Sequence, residues 1–201
     1  MPKTRRVGIF GGAFDPPHLA HCALVETALN ELKLDALHVV PTGEAWHKSR
    51  KLTDGKHRLA MLQLAFKDLP RICLDSREIN RTGPSYTIDT LRQIAAEEPG
   101  AELFLIIGAD QAAALTSWRE WQAIVQLAII SVAIRPDQSN ASDLFDAEKL
   151  FPERFLHLGL PAHYLSATQI RSKIASGQPV QTLVSEPVAR YIADHHLYLS
   201  H

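Results

Sequence analysis

At 201 residues the chain suits one α/β domain with a sizeable buried core, since two full domains would each be small. Hydrophobic residues make up 46% and charged residues 21%, which excludes a disordered or fibrous class. A formal net charge of −1 gives none of the basic excess that a polyanion binder gathers on one face, so a small substrate is expected and nucleic acid is not.

Cys22 and Cys73 are the only cysteines, too few for a disulfide framework or a CxxC metal knuckle, which fits a reducing compartment. After the basic start Met1-Pro2-Lys3-Thr4-Arg5-Arg6, only Val7-Gly8-Ile9-Phe10 precedes glycines, too short for the apolar part of a signal peptide. The apolar stretch Leu127 to Ile134, interrupted by Ser131, is far below a membrane span. A cytoplasmic location and no membrane partner are expected.

In chain order, Val7 to Phe10 reads as a strand, followed by a turn and a helix with Cys22, Val25, Leu29 and Leu32 at helical spacing. Ala36 to Val40 reads as a second strand, Lys56 to Phe66 as a helix, Ile72 to Leu74 as a short strand, and Tyr86 to Ala96 as a helix stopped by Pro99-Gly100. Leu103 to Ile107 and Ala128 to Ile134 are continuous apolar runs, as in parallel strands covered by helices on both faces. Phe155 to Leu158 reads as an edge strand, and Arg135 to Asp146 as a polar loop. The sum is a doubly wound parallel sheet in three α/β/α layers, Rossmann-like, forming a single domain over 1–201, with ligands expected beyond the carboxyl ends of the strands.

At the first such end, Gly11 and Gly12 follow a strand and let backbone approach a ligand, while Pro16-Pro17 stiffen the start of a helix. A phosphate there would meet exposed N–H groups and the positive end of the helix dipole. His18 and His21, three apart, share a face and extend the buried stripe toward the sheet edge. A tight turn with capping or packed histidines is the plain reading of each feature alone. Two imidazoles in a first turn oppose the dipole when protonated, however, and make sense beside a bound anion.

The stretch Leu165-Ser166-Ala167-Thr168-Gln169-Ile170-Arg171 is a second phosphate candidate. Ser166 and Gln169 suit a capping box, with Ile170 and Ile174 toward the core, but Arg171 opposes the dipole. It is therefore expected to reach for phosphate, with Thr168 beside it. In Gly108-Ala109-Asp110, Asp110 could cap the next helix, contact a nucleotide, or do both. Trp118 suits an aromatic plate and Trp121 core packing. His47 and Lys48 lie in the loop after the second strand and could bind a second phosphate, and Gly83 to Leu91 reads as the start of a helix capped by Ser85, free to hold a carboxylate.

The stretches Phe10 to His21 and Ser166 to Arg171 together resemble the paired signatures GGxFDPxHxGH and ISSTxIR of the nucleotidylyltransferase superfamily. Gly83 to Leu91 is similar to GxSYTxDTL, and Gly108-Ala109-Asp110 with Trp118 to GADxxxxLxxW, of bacterial nicotinate-nucleotide adenylyltransferases. The resemblance runs from Val7 to Tyr198. It implies transfer of adenylyl from ATP to nicotinate mononucleotide, giving deamido-NAD and pyrophosphate, with Mg2+ accompanying ATP and no metal-binding residues of the protein's own. It implies that His18 and His21 stabilise the transferred phosphate, and that Gly11, Gly12, Ala13, Asp110, Ser166, Thr168 and Arg171 surround ATP. Thr42, His47 and Lys48 would hold the mononucleotide phosphate, Trp118 would stack on the pyridine, and N–H groups of Thr87 and Arg119 would read the carboxylate.

Ala20 stands where that pattern has glycine, Ala167 where it has a second serine, and Glu44-Ala45-Trp46-His47-Lys48 where it has PPHK. Rival readings are a sibling transferase acting on nicotinamide mononucleotide or phosphopantetheine, a class I aminoacyl-tRNA synthetase fragment, and a non-catalytic nucleotide-binding module. The synthetase reading lacks a KMSKS-like motif. Monomer and homodimer are both open.

Overall fold

A computed structural model describes residues 3–43, 52–134, 145–159 and 165–199. His47 and Lys48, with the rest of the Glu44–Lys48 segment, lie outside the described residues, as does the stretch from Arg135 to residue 144.

Among the described residues six strands form one sheet: β1 (Arg6–Gly12), β2 (Ala36–Pro41), β3 (Ile72–Leu74), β4 (Glu102–Gly108), β5 (Ala128–Ile134) and β6 (Phe155–Gly159). Their order is β3-β2-β1-β4-β5-β6, and every adjacent pair is parallel. The helices are α1 (Leu19–Glu31), α2 (Gly55–Phe66), α3 (Arg77–Asn80), α4 (Thr87–Glu97), α5 (Ala109–Ala113), α6 (Trp121–Leu127), α7 (Asp146–Leu150), α8 (Ala167–Ala175) and α9 (Glu186–Asp194). None among the described residues is long and apolar enough to cross a membrane.

The unbroken apolar run of β4 follows from burial on both sides. Leu103, Leu105 and Ile107 join a core containing Ile88, Leu91 and Ile94 of α4, Ile124 and Val125 of α6, and Ala147 of α7. Phe104 and Ile106 join the opposite core with Leu24, Val25, Ala28 and Leu29 of α1 and Leu62 and Phe66 of α2. These are the two flanking layers of a doubly wound fold. A third apolar cluster joins Met61 of α2 to Ile170 and Ile174 of α8 and to Val188 and Ile192 of α9, fastening the C-terminal helices to the sheet through α2.

Gly8 leaves room on β1 for side chains of the α1–β2 connection and of β2. A Cβ there would stand 2.5 Å from the Leu34 Cδ1 and 2.6 Å from the Leu37 Cδ1, both ends of mobile side chains. At Gly43 a Cβ would collide with the backbone carbonyl of Glu78 in α3, which cannot rotate away. Gly8→Ala should therefore cost about 1–3 kcal/mol and Gly43→Ala more. Urea midpoints of the two variants check this ranking.

β1 runs two residues further than its sequence pattern suggests, through both glycines, because Gly11 and Gly12 still pair with Val40 and Pro41 of β2. On its other side β1 stops pairing with β4 at Phe10–Ile106, while β4 stays with β5 as far as Gly108–Ala133. A split thus opens between β1 and β4 at their carboxyl ends. This is the point where the strand order reverses, the position where doubly wound sheets bind ligands.

Candidate active site

One lip of the split is the turn from Gly11 to His18, and the other is Gly108 to Asp110. Among the described residues, a Cβ at Gly108 would meet no atom within 4 Å beyond its chain neighbours, so this lip has room beside its backbone. Gly108 is also the N-cap of α5, with its N–H bonded to the Gln111 side-chain oxygen at 3.2 Å. Asp110 is therefore not the cap. It lies exposed in the first turn of α5, where a carboxylate suits the dipole.

His18 is the N-cap of α1 and His21 its third residue. Their rings stack with centroids 3.7 Å apart and 19° between planes. The His18 backbone N–H donates to the His21 Nδ1 at 3.2 Å. An accepting Nδ1 carries no proton, so the neutral His21 ring holds its hydrogen on Nε2, as a donor. Burial first, and the neighbouring His18 second, hold the His21 pKa well below its ordinary value. The Phe14 ring, 5.0 Å away and nearly edge-on, and the Phe10 ring at 6.0 Å supply the apolar wall.

The N-terminus of α1 is less open than its sequence suggests. The Leu19 N–H is committed to the Leu183 carbonyl at 3.0 Å, so this donor is not available to a phosphate.

Arg171 in α8 reaches the same turn. Its Nη1 donates to the Asp15 carbonyl at 2.8 Å and its Nη2 to the Thr168 hydroxyl at 3.1 Å. Ser166 caps α8, its hydroxyl accepting from the Gln169 N–H at 3.2 Å. Thr42 closes the end of β2 against the turn, donating its N–H to the Gly12 carbonyl at 2.8 Å. Gly11, Gly12, Ala13, His18, His21, Thr42, Thr168 and Arg171 are thereby joined to one another around the β1 side of the split, whereas Asp110 stands on the β4 lip.

A second group lies around the start of α4. Thr87 is its first residue, and Tyr86 rather than Ser85 is the N-cap, with no side-chain bond. The Arg119 guanidinium lies 4.6 Å over the Tyr86 ring, so the structure brings Thr87 and Arg119 together. Trp118, half-buried, packs on the core beneath. Glu120 takes a left-handed conformation at φ 53° and is bonded by Arg92 of α4 at 2.6 Å, which ties this segment to the α4 helix. Trp121 packs on the core and edge-on to Phe151, as expected of it.

Four participants are not evident from sequence. Asp15, 1% exposed, receives the Thr53 N–H at 3.2 Å on Oδ2 and the Tyr198 hydroxyl at 2.7 Å on Oδ1. Arg58, 3% exposed, donates to the Ala13 carbonyl at 2.9 Å and the Thr53 carbonyl at 2.8 Å. Burial pulls the Arg58 pKa below its usual value and Asp15 opposes that pull. Arg58 had a signal: it occupies the buried stripe of α2 with Met61, Leu62 and Phe66, where a cation needs a partner. Phe14 and Tyr198 had none, since what matters is a ring placed by a left-handed residue and a contact across the whole chain.

Neutral and cationic donors converge on a sheet split beside a helix N-terminus, and no nucleophile–base pair stands among them. That defines an α/β nucleotidyltransferase, a class that works by positioning and charge stabilisation. Residues 9–173 match the family model described as cytidylyltransferase-like. A relative from Albidiferax ferrireducens, named "Probable nicotinate-nucleotide adenylyltransferase", is 59% identical over 194 residues, covering 96% of this chain and 98% of that protein. One of the same name from Methylibium petroleiphilum is 42% identical over 200 residues, covering 96% and 92%. In fold, the chain is similar to Plasmodium falciparum nicotinic acid mononucleotide adenylyltransferase complexed with NaAD, at a TM-score of 0.77 and 20% identity over 96% of this chain and 97% of that one. The chain belongs to the cytidylyltransferase-like family and, within it, to the nicotinate-nucleotide adenylyltransferases.

Proposed function

We propose that this chain transfers the adenylyl group of ATP to nicotinate mononucleotide, yielding deamido-NAD and pyrophosphate in NAD biosynthesis. The observation that carries this is the stacked His18–His21 pair, joined through the Gly11–Asp15 turn to Arg171 at the split between β1 and β4. A phosphate oxygen of the mononucleotide attacks the α-phosphorus of ATP. The bond from that phosphorus to the oxygen bridging toward the β-phosphate breaks as the new one forms, and pyrophosphate leaves with the electron pair. The attacking oxygen is already ionised at neutral pH, so no protein base is required.

His21 would give its Nε2–H to charge building on the transferred phosphoryl group, His18 would lie beside it, and Arg171 would offset charge on the departing phosphates. Gly11, Gly12 and Ala13 would admit the phosphates to bare backbone, with Asp110, Ser166 and Thr168 around the nucleoside. Thr42, His47 and Lys48 would hold the acceptor phosphate. Trp118 would stack on the pyridine, and the N–H groups of Thr87 and Arg119 would receive its carboxylate, assisted by the Arg119 charge.

Mg2+ would enter with ATP, held by phosphate oxygens and water. Among the described residues no three His, Cys, Asp or Glu side chains gather as metal ligands, so their donors suit a phosphate-borne ion rather than a protein-caged one. We place the reaction in the cytoplasm, where unpaired Cys22 and Cys73 would persist.

Pyrophosphate release should be fastest with nicotinate mononucleotide, and about tenfold or more slower with nicotinamide mononucleotide, because backbone donors prefer a carboxylate to a carboxamide by about the worth of a charged hydrogen bond. Phosphopantetheine should give no release. Equal rates with acid and amide would remove the carboxylate from the reading, and release with phosphopantetheine alone would replace the acceptor.

A further inference from the structure

The turn that would carry the ATP phosphates does not hold itself. Phe14 sits at φ 46°, a left-handed conformation costly for a bulky side chain, so surrounding contacts must maintain it. Those contacts include the Arg58 bond to Ala13, the Arg171 bond to the Asp15 carbonyl, and the bonds that the Asp15 carboxylate receives from Thr53 and Tyr198. Arg58 and Thr53 come from the start of α2 and Arg171 from α8. Tyr198 comes from the tail beyond α9, 183 residues along the chain from Asp15.

The tail is bent to make this contact. After α9 ends at Asp194, His196 and Tyr198 both take left-handed conformations, at φ 51° and 65°, and neither is glycine. Such a conformation is unfavourable for a residue with a side chain, so the tail's packing must hold both. The Leu197 N–H returns to the Ile192 carbonyl at 3.0 Å, and Leu197 and Tyr198 pack on the cluster shared by α2, α8 and α9. The result of the two bends is a phenol hydroxyl 2.7 Å from the Asp15 Oδ1.

We propose that Tyr198 is a positioning residue for adenylyl transfer, holding the Asp15 carboxylate so that the Gly11–His18 turn keeps the shape that receives ATP. The hydroxyl serves as a donor, since burial and the adjacent Asp15 both push its pKa upward and keep it protonated. Tyr198 bonds the Asp15 carboxylate, whereas Arg171 bonds the Asp15 backbone carbonyl. The inference rests on the adenylyl-transfer reading above.

Tyr198→Phe, made in the full chain and assayed with ATP, Mg2+ and nicotinate mononucleotide, should lower kcat/KM for ATP about tenfold, mostly through KM. The KM for nicotinate mononucleotide should stay within twofold of wild type. A kcat/KM for ATP within twofold of wild type overturns the proposal, as does an equal loss for both substrates, which marks general loosening of the fold. Asp15→Asn keeps the side-chain shape with one acceptor oxygen and is read the same way, which covers a Tyr198→Phe chain that does not accumulate. An inactive wild type would sink the reaction rather than this inference. Calorimetric binding of a non-hydrolysable ATP analogue then decides it, about tenfold weaker in Tyr198→Phe if the proposal holds and unchanged if it does not.

Discussion

His21→Ala should lower kcat by about 10²–10³-fold while leaving the affinity for ATP within a few-fold of wild type, the size of effect seen when one preorganised donor to a developing charge is removed. The selectivity for kcat follows from what fixes the ring. The His18 N–H on Nδ1, the stacked His18 ring and the Phe14 edge leave Nε2–H as the only polar group that His21 can direct at a substrate. Ground-state ATP has other partners, whereas the transition state at the α-phosphorus adds charge that only a fixed donor can meet without reorganisation. An unchanged kcat would remove His21 from the chemistry, and a loss carried by ATP affinity alone would make it a binding residue.

The same residue gives stability a pH dependence. Its folded pKa lies below the unfolded value near 6.5, so between those two values the unfolded chain binds the additional proton. Its contribution is nil above about pH 6.5 and turns increasingly unfavourable as pH falls through that window. Urea midpoints at pH 7.5 and pH 5.5 should therefore differ more in the wild type than in His21→Ala. An identical pH dependence in the two chains would show that His21 is not held neutral by the fold.

Arg171 carries the second large effect. Arg171→Ala should reduce kcat/KM for ATP by about 10²-fold or more, because it removes a cation from the phosphates and the fork that spans the Asp15 carbonyl and the Thr168 hydroxyl. Arg171→Lys should recover little of the loss, since a single ammonium cannot keep both bonds and still face a phosphate. Near-wild-type activity of Arg171→Lys would reduce the role of Arg171 to charge alone. The comparison also separates it from Tyr198, which acts on the same turn and carries no charge to the substrate.

The layers of this fold are legible in the sequence because the two-sided strands β4 and β5 have no polar alternation to confuse, and α1 repeats its apolar residues at helical spacing. The boundary of β1 is not, since a glycine pair reads as a turn and nothing local says that β2 continues beside it for two more residues. Ser85 reads as a helix cap, yet the chain turns one residue later, at Tyr86. The site divides in the same way. His18, His21 and Arg171 betray themselves as cations or imidazoles at helix starts, where capping alone would choose otherwise. Asp15 and Tyr198 matter through contacts 38 to 183 residues apart, which no local pattern encodes, and Arg58, marked only as a cation in the buried stripe of α2, finds its Ala13 partner 45 residues away.

The most direct test of the central claim follows the α-phosphorus. With ATP labelled there, Mg2+ and nicotinate mononucleotide, the label should appear in deamido-NAD and none in the pyrophosphate released. Label recovered as AMP, or remaining wholly in ATP while nicotinate mononucleotide is unconsumed, would contradict adenylyl transfer at the β1–β4 split.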